Sequence, residues 1–270
     1  MSSSSPSLPA SPAADLFTTF TDGVLTITFN RPHARNAFTK AMYAELEAVL
    51  RAVPQRPDVR ALIFTGAGGK AFASGTDLAE LQQIATPAQA MAYEKGGEVL
   101  FGLIENCPVP TLAAIDGVCV GGGLAIAAAS DLRLASAGAR IGMPIARTSG
   151  NCLSLASCRL LASLVGPARV KHMIFTAELW SAEQAQRFGF VDEVVTDAPS
   201  VLPRAQALAA QIASHAPLTL RAAKSMLQLL RDGGNAQAER AIIEQVYTSN
   251  DFAEGVAAFL AKRKPHWTGT

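Results

Sequence analysis

The stretch AAIDGVCVGGGLAIAAASD, residues 113–131, carries the strongest indication of the fold. Its first part reads as an apolar strand, three consecutive glycines follow at 121–123, and small apolar residues continue without a charge until Asp131. A run of small apolar residues after a strand and a glycine turn favours a buried helix. The stretch therefore predicts a strand, a glycine loop and a helix that begins at the loop.

Three familiar glycine motifs do not fit this loop. A dinucleotide-binding fingerprint needs G-x-G-x-x-G and an acidic residue about 20 positions later, whereas Asp131 follows the glycines too soon. A phosphate-binding loop needs Gly-Lys-Ser/Thr, and no lysine follows these glycines. The G-x-S-x-G turn of serine hydrolases is also missing from the sequence. What remains is a loop whose backbone N–H groups can approach a ligand.

Composition narrows the class of protein. The 270 residues suffice for a substantial core, and 23 Lys and Arg against 22 Asp and Glu leave a net charge of +1, which attracts neither nucleic acid nor a membrane surface. The apolar runs are too short to cross a membrane. The four cysteines lack disulfide or metal-site spacing and are expected to be reduced, and the four histidines do not cluster. No metal site is predicted.

The N-terminal segment MSSSSPSLPASPAAD lacks the basic and apolar regions of a signal peptide. Its Ser and Pro content predicts a disordered tail over residues 1–14, and we expect a cytoplasmic protein. From residue 15 to 195, strands and helices alternate in an α/β pattern, with the threonine-alternating segment at 24–29 expected to be a half-buried strand. Residues 196–270 are predicted to be helical.

The order strand, glycine loop, helix occurs twice, at 61–81 and at 111–129. We interpret this as a structural quasi-repeat of ββα type. Unpaired N–H groups at a helix start carry the positive end of the helix dipole, and one from each loop can form an oxyanion hole around a carbonyl oxygen. The alternative for either loop alone is close packing of a turn against a helix. The presence of two such loops favours a functional site.

Five stretches resemble successive signatures of the crotonase, or enoyl-CoA hydratase/isomerase, superfamily. In family order they are NRPHARNAF (30–38), GAGGKAFASGTDL (66–78), AAIDGVCVGGGLAIAAASDLRLAS (113–136), WSAEQAQRFGFVDEVV (180–195) and FLAKRKPHW (259–267). The resemblance covers about residues 15–265. It implies a crotonase-like spiral of ββα units with the acyl-CoA site, followed by a C-terminal helical trimerisation region that forms trimers or dimers of trimers.

The resemblance also implies roles for individual residues. An acyl-CoA thioester is the implied ligand, and coenzyme A enters as part of the substrate rather than as a separate cofactor. The backbone N–H groups of Thr76 and Gly122 match the family's oxyanion hole. The residues matching positions near CoA are Arg35, Lys70, Ala73, Ser74, Asp77, Phe259 and Lys262, with Arg263 beside them. For Asp77 and the surface cations, helix capping and simple solvation are the alternatives.

The sequence departs from the family's hydratases at two positions. The resemblance places Ala125 and Ile145 where the hydratases carry the two glutamates that activate water. General acid–base catalysis needs a titratable group within reach of the transferred proton. Arg147 and Cys152 are among the candidates in the loop after Ile145, together with Thr148, Ser149, Asn151 and Ser154, although a free cysteine is often a small core residue. Glu80 and Glu94 are further candidates after the first loop.

Three hypotheses follow for the function. The first is an acyl-CoA enzyme of enoyl-CoA hydratase/isomerase type with an altered base, acting through a polarised thioester or its enolate. The second is a protein that binds acyl-CoA without turning it over. The third is an oligomer that keeps only the fold, against which the two intact glycine loops argue. We favour the first.

Overall fold

The computed structural model describes residues 14–196 and 200–270. Apart from Ala14, the predicted disordered tail lies outside this part of the chain. The strands are β1 (Leu16–Thr21), β2 (Val24–Phe29), β3 (Ala61–Gly66), β4 (Ala71–Ala73), β5 (Thr111–Ile115), β6 (Val118–Val120), β7 (Leu132–Ser136), β8 (Arg140–Gly142), β9 (Trp180–Ser181) and β10 (Glu193–Val195).

The helices are α1 (Lys40–Ala52), α2 (Leu78–Leu81), α3 (Pro87–Glu105), α4 (Gly122–Ala129), α5 (Leu155–Val165), α6 (Pro167–Thr176), α7 (Ala182–Arg187), α8 (Leu202–Ala213), α9 (Pro217–Arg231), α10 (Ala236–Tyr247) and α11 (Asn250–Leu260). Their positions follow the predicted alternation of strands and helices. Helix α1 begins after Thr39, whose side chain caps it by accepting from the Met42 N–H.

Two sheets organise the strands. The large sheet has the order β1-β2-β3-β5-β7-β10, with β1 and β2 antiparallel and the remaining neighbours parallel. The small sheet has the order β4-β6-β8-β9, with only β8 and β9 antiparallel. Each pair β3–β4, β5–β6 and β7–β8 thus contributes one strand to each sheet. This arrangement is the predicted α/β spiral.

The spiral has one more turn than the quasi-repeat predicted. The pair β7–β8 lacks a glycine loop followed by a helix, because β8 runs directly into a short 3-10 turn at Pro144–Ala146. Its strands nevertheless pair with β5 and β6 in the same parallel sense as those of the first two turns. The first two turns were therefore predicted from their glycine loops, whereas the third turn had no local signature in the sequence.

Strand β2 is not half-buried, so that prediction was wrong. All six of its residues are buried, including Thr26 and Thr28. The reason is that β2 lies between two strands and both faces of the sheet are covered. Leu25 packs in the core that contains α1 residues, and Val24 packs in a second core that contains α8 residues.

Helix α8 joins the predicted C-terminal region to the sheet. Ala205 and Ala209 pack in the same buried cluster as Ile63 of β3 and Ala114 of β5. Small residues on this helix face allow its backbone to approach the sheet closely. The division of the chain at residue 195 stays a prediction, and in the structure α8 belongs to the layer that covers the large sheet.

Helices α9 to α11 follow beyond this layer. Helix α9 is held to the spiral by the Lys224 ammonium group, which donates to the Asp131 carboxylate over 2.8 Å. The three helices expose large apolar side chains, namely Leu227, Leu230, Ile243, Tyr247, Phe252, Val256, Phe259 and Leu260. Trimerisation through this region stays a prediction. Among the described helices, none has the length and apolar character needed to span a membrane.

Candidate active site

The two glycine loops meet in the structure. Gly75, between β4 and α2, and Gly121, between β6 and α4, both have positive φ, at 93° and 56°. A Cβ on Gly75 would lie 3.3 Å from the Gly121 Cα and 3.3 Å from the Gly122 nitrogen. The two loop backbones are therefore in van der Waals contact, which requires glycine at the point of contact.

This contact brings Thr76 and Gly122 into neighbouring positions. The Phe38 N–H donates to the Gly75 carbonyl over 2.8 Å, and the Asp77 N–H donates to the Phe38 carbonyl over 2.9 Å. Thr76 lies between these two bonds, and its own N–H has no acceptor within the described residues. Gly122 is the first residue of α4, where backbone N–H groups have no partner in the helix. Two such donors in adjacent loops can bind one carbonyl oxygen.

Three hydroxyl groups form a hydrogen-bonded line beside these two donors, and no motif in the sequence indicated it. The Tyr43 hydroxyl is 2.8 Å from the Thr76 hydroxyl, which is 2.7 Å from the Tyr93 hydroxyl. Tyr43 comes from α1 and Tyr93 from α3. Burial is the main cause that raises the pKa of both tyrosines, so both are neutral at physiological pH. The chain has three tyrosines, and the convergence of two was not visible in any local motif.

The two positions to which the resemblance assigns the hydratase glutamates have apolar side chains in apolar surroundings. Ala125 lies in the second turn of α4 and is 7% exposed, and Ile145 lies in the 3-10 turn after β8 and is 8% exposed. Ile145 belongs to the main hydrophobic core. Neither side chain can transfer a proton.

The other candidates for a base lie in the exposed loop after Ile145, on helix α2 or on helix α3. Arg147 and Cys152 are both exposed, and no hydrogen bond joins their side chains to the glycine loops in the described ranges. The interpretation of Cys152 as a core residue is therefore wrong, because it lies in an exposed loop before the α5 cap. Glu80 accepts from the Lys40 N–H. Burial raises the pKa of Glu94, and a hydrogen bond with the Ser154 backbone partly offsets this rise.

Most residues matched to CoA-binding positions surround the first glycine loop. Ala73 is buried in β4, Ser74 is half-buried, and the exposed Lys70 lies in the turn before β4. The Ser74 N–H donates to the carbonyl of Arg35 over 3.1 Å, which places the exposed Arg35 beside the loop. The structure thus brings these four residues to one edge of the small sheet.

Asp77 has two partners within the protein. Its side chain caps α2 by accepting from the Ala79 N–H over 3.1 Å and accepts from the Arg31 guanidinium over 3.0 Å. These interactions, the hydrogen bond from Ala79 first, lower the pKa of Asp77. Capping, the alternative raised from the sequence, is observed.

Phe259, Lys262 and Arg263 lie at the other end of the chain, at the end of α11. Phe259 is 84% exposed and Lys262 is also exposed. Arg263 forms a two-pronged ion pair with Glu254, at 2.6 and 2.8 Å. This pairing occupies the Arg263 guanidinium within its own chain. In the described part of the chain, no group of His, Cys, Asp and Glu is arranged to hold a metal ion.

Known proteins share this sequence and fold. Residues 19–270 match the family model described as enoyl-CoA hydratase/isomerase. Crotonyl-CoA hydratase of Syntrophomonas wolfei is 32% identical, over 88% of this chain and 92% of that protein. (E)-Benzylidenesuccinyl-CoA hydratase of Thauera aromatica is 34% identical, over 90% of this chain and 94% of that protein.

The solved structure of an enoyl-CoA hydratase/carnithine racemase from Magnetospirillum magneticum superposes with a TM-score of 0.89 at 31% identity. The superposition covers 95% of this chain and 96% of that one. The family match over nearly the whole sequence agrees with the two-sheet spiral and its paired glycine loops. The chain belongs to the enoyl-CoA hydratase/isomerase family.

Proposed function

We propose that the protein binds an acyl-CoA thioester and polarises its carbonyl group between the backbone N–H groups of Thr76 and Gly122. The observation that carries this proposal is the contact between the two glycine loops, with the Gly122 nitrogen 3.3 Å from a Cβ built on Gly75. Donors placed in advance stabilise the negative charge that develops on a thioester oxygen when an enolate forms. The relatives named for CoA thioesters support this ligand class.

The CoA portion of the ligand has a candidate surface beside the first loop. Arg35 and Lys70 are exposed cations that can meet phosphate groups. Phe259 and Lys262 would complete this surface from a neighbouring subunit of a trimer. The exposed apolar side chains of α9 to α11 support such an assembly. Arg263 is not included because Glu254 neutralises it.

Simple hydration is expected to be slow in this member of the family. The resemblance assigns the two hydratase glutamates to Ala125 and Ile145, which are apolar and buried. Without a carboxylate, water is neither oriented nor deprotonated beside the double bond. The same observation favours a second candidate function, in which the protein binds acyl-CoA without turnover.

The first experiment measures carbonyl polarisation directly. Acetyl-CoA labelled with ¹³C at its carbonyl is bound to the protein, and the infrared band of that carbonyl is followed together with calorimetric binding. We expect the band to move to lower frequency in the wild type and to move less in Gly122→Pro, where only the Thr76 N–H remains. Proline is accepted at the first position of a helix, but it removes the N–H. Gly122→Ala, which adds a Cβ beside the Tyr43 hydroxyl but keeps the N–H, is the control.

Binding without a band shift would contradict the oxyanion hole, and absence of binding would contradict the acyl-CoA site. Loss of absorbance from crotonyl-CoA then tests the chemistry. The double substitution Ala125→Glu with Ile145→Glu is expected to raise hydration about 100-fold above the wild type, since acid–base groups contribute factors of this order. Rapid hydration by the wild type would show that another base serves the reaction.

A further inference from the structure

A hydroxyl line, defined as Tyr43, Thr76 and Tyr93, lies against both residues of the proposed oxyanion hole. Thr76 belongs to the hole itself, and its hydroxyl oxygen lies 2.8 Å from that of Tyr43 and 2.7 Å from that of Tyr93. The Tyr43 hydroxyl oxygen lies 2.6 Å from the position that a Cβ on Gly122 would take. One hydroxyl, that of Tyr43, therefore touches Gly122 and bonds to Thr76.

The line has a proton to donate. Three hydroxyl groups carry three protons, and two hydrogen bonds within the line use two of them. One O–H is left to donate to a group outside the line. Hydrogen-bonded hydroxyls polarise each other, so the donor at one end is strengthened by its neighbours.

The line is also fixed in place by packing. The Tyr43 ring stacks on Phe38 with centroids 4.8 Å apart, and the Phe38 backbone is bonded to both neighbours of Thr76. Tyr93 reaches Thr76 from α3, a separate helix that begins at a capping box. Three elements of the fold thus bring one hydroxyl each to a site where Ala125 and Ile145 offer no titratable group.

We propose that this hydroxyl line is the proton donor of the site, with Tyr43 as the catalytic residue next to the thioester and Thr76 and Tyr93 as its proton supply. The inference rests on the proposed function, because the acceptor is the enolate of a bound acyl-CoA. It identifies the acid that the apolar residues at the glutamate positions do not provide.

The proton transfer can be written with all bonds balanced. The electron pair of the enolate double bond forms a new C–H bond at the α-carbon with the Tyr43 proton, and the thioester carbonyl re-forms. The Tyr43 oxygen takes the proton of Thr76, Thr76 takes that of Tyr93, and Tyr93 takes a proton from a solvent water, which leaves as hydroxide. Neutral hydroxyls suit this direction of transfer, since burial disfavours the tyrosinate.

The same step in reverse gives the test. In alkaline D₂O, hydroxide takes the Tyr93 proton, the line shifts by one proton, and the Tyr43 oxygen takes an α-proton of bound butyryl-CoA before a deuteron returns to the α-carbon. We expect the wild type to incorporate deuterium at the α-carbon, as measured by mass spectrometry. Tyr43→Phe and Thr76→Val are expected to slow this exchange about 100-fold. Thr76→Val keeps the backbone N–H, so it separates the hydroxyl from the oxyanion hole.

Tyr247→Phe is the matched control, because it removes the remaining tyrosine hydroxyl from α10 and leaves the exchange at the wild-type rate. Thr76→Ser, which keeps a hydroxyl, is expected to restore most of the exchange lost in Thr76→Val. Calorimetry with butyryl-CoA accompanies every variant and shows that the site is intact. If Tyr43→Phe does not fold, Thr76→Val and Tyr93→Phe carry the same test.

The outcomes separate the two proposals. Binding of butyryl-CoA with wild-type exchange rates in Tyr43→Phe and Thr76→Val would overturn the hydroxyl line and leave the acyl-CoA site standing. Binding without exchange in the wild type would do the same. If butyryl-CoA does not bind the wild type at all, the proposed function is wrong and the hydroxyl line falls with it.

Discussion

The two glycine loops have the same order of elements and are held in place by different forces. The first leads into α2, a helix of four residues that is capped by Asp77 and has no buried residue. The second leads into α4, in which seven of eight residues are buried and no side chain caps the start. Polar side chains fix the first loop, and close packing of small residues fixes the second. A site that needs two fixed N–H donors can be built by either means.

Disturbing the packing of the second loop against the first is expected to have the largest effect on the free energy of unfolding. A Cβ on Gly123 would lie 2.5 Å from the Ala73 carbonyl oxygen and 2.8 Å from the Ala73 Cβ. Backbone atoms cannot move aside cheaply, so Gly123→Ala is expected to lower the free energy of unfolding by about 3 kcal/mol. Urea denaturation followed by circular dichroism measures this change.

Gly96→Ala is the control for this prediction. Gly96 is exposed in the middle of α3, and a Cβ there meets no atom within 4 Å. The substitution is expected to raise the free energy of unfolding by about 0.5–1 kcal/mol, because alanine favours a helix more than glycine does. Equal stability of the Gly123 and Gly96 variants would show that the two loops are less closely packed than described.

A substitution at Gly122, where the packing of the loops meets the hydroxyl of Tyr43, is expected to have an intermediate effect on the free energy of unfolding. A Cβ on Gly122 would lie 2.6 Å from the Tyr43 hydroxyl oxygen but 3.8 Å from the ring carbon that bears it. Gly122→Ala is therefore expected to cost about 1.5 kcal/mol of unfolding free energy, since the hydroxyl must leave its bond to Thr76. In a Tyr43→Phe background the same substitution is expected to cost less by about 1 kcal/mol.

A double-mutant cycle from four urea denaturation curves measures this coupling. Additive costs of the two substitutions would mean that the Tyr43 hydroxyl does not contact Gly122. Such a result would weaken the hydroxyl line as well, because this contact is what places Tyr43 beside the proposed oxyanion hole.

Local patterns in the sequence predicted much of this architecture. The two strand, glycine and helix stretches appear as β3–β4–α2 and β5–β6–α4. These features depend on neighbouring residues, so a single sequence reveals them. The burial of Thr26 and Thr28 depends on α8, which is distant in sequence, and alternation within β2 could not indicate it.

The candidate site was predictable to the same extent. The glycines that line it were visible as motifs, and the resemblance to a family supplied roles for Thr76 and Gly122. The hydroxyl line was not visible, because its bonds join residues 33 and 17 positions apart in the sequence. A tyrosine on an amphipathic helix looks the same whether its hydroxyl meets solvent or another hydroxyl. Only the assembled fold shows which occurs.

Removing the polar contacts that hold the first loop is expected to have the smallest effect on the free energy of unfolding, and this effect depends on pH. Asp77→Ala removes the cap of α2 and the Arg31 ion pair, at an expected cost of about 0.5–1 kcal/mol at pH 7. Asp77→Asn keeps a capping oxygen without the charge and is expected to cost less. The Ala79 N–H and then Arg31 hold the pKa of Asp77 below its ordinary value of 3.8.

A carboxyl group whose pKa is lower in the folded state stabilises the protein fully above its unfolded pKa, and this stabilisation is lost as the pH falls through the folded pKa. Urea denaturation at a series of pH values is therefore expected to show a constant difference between wild type and Asp77→Asn from pH 7 down to about pH 4, and a shrinking one below it. A difference that persists unchanged in acid would mean that Asp77 acts through the shape of its side chain and not its charge. The first loop would then be held, like the second, by fit alone.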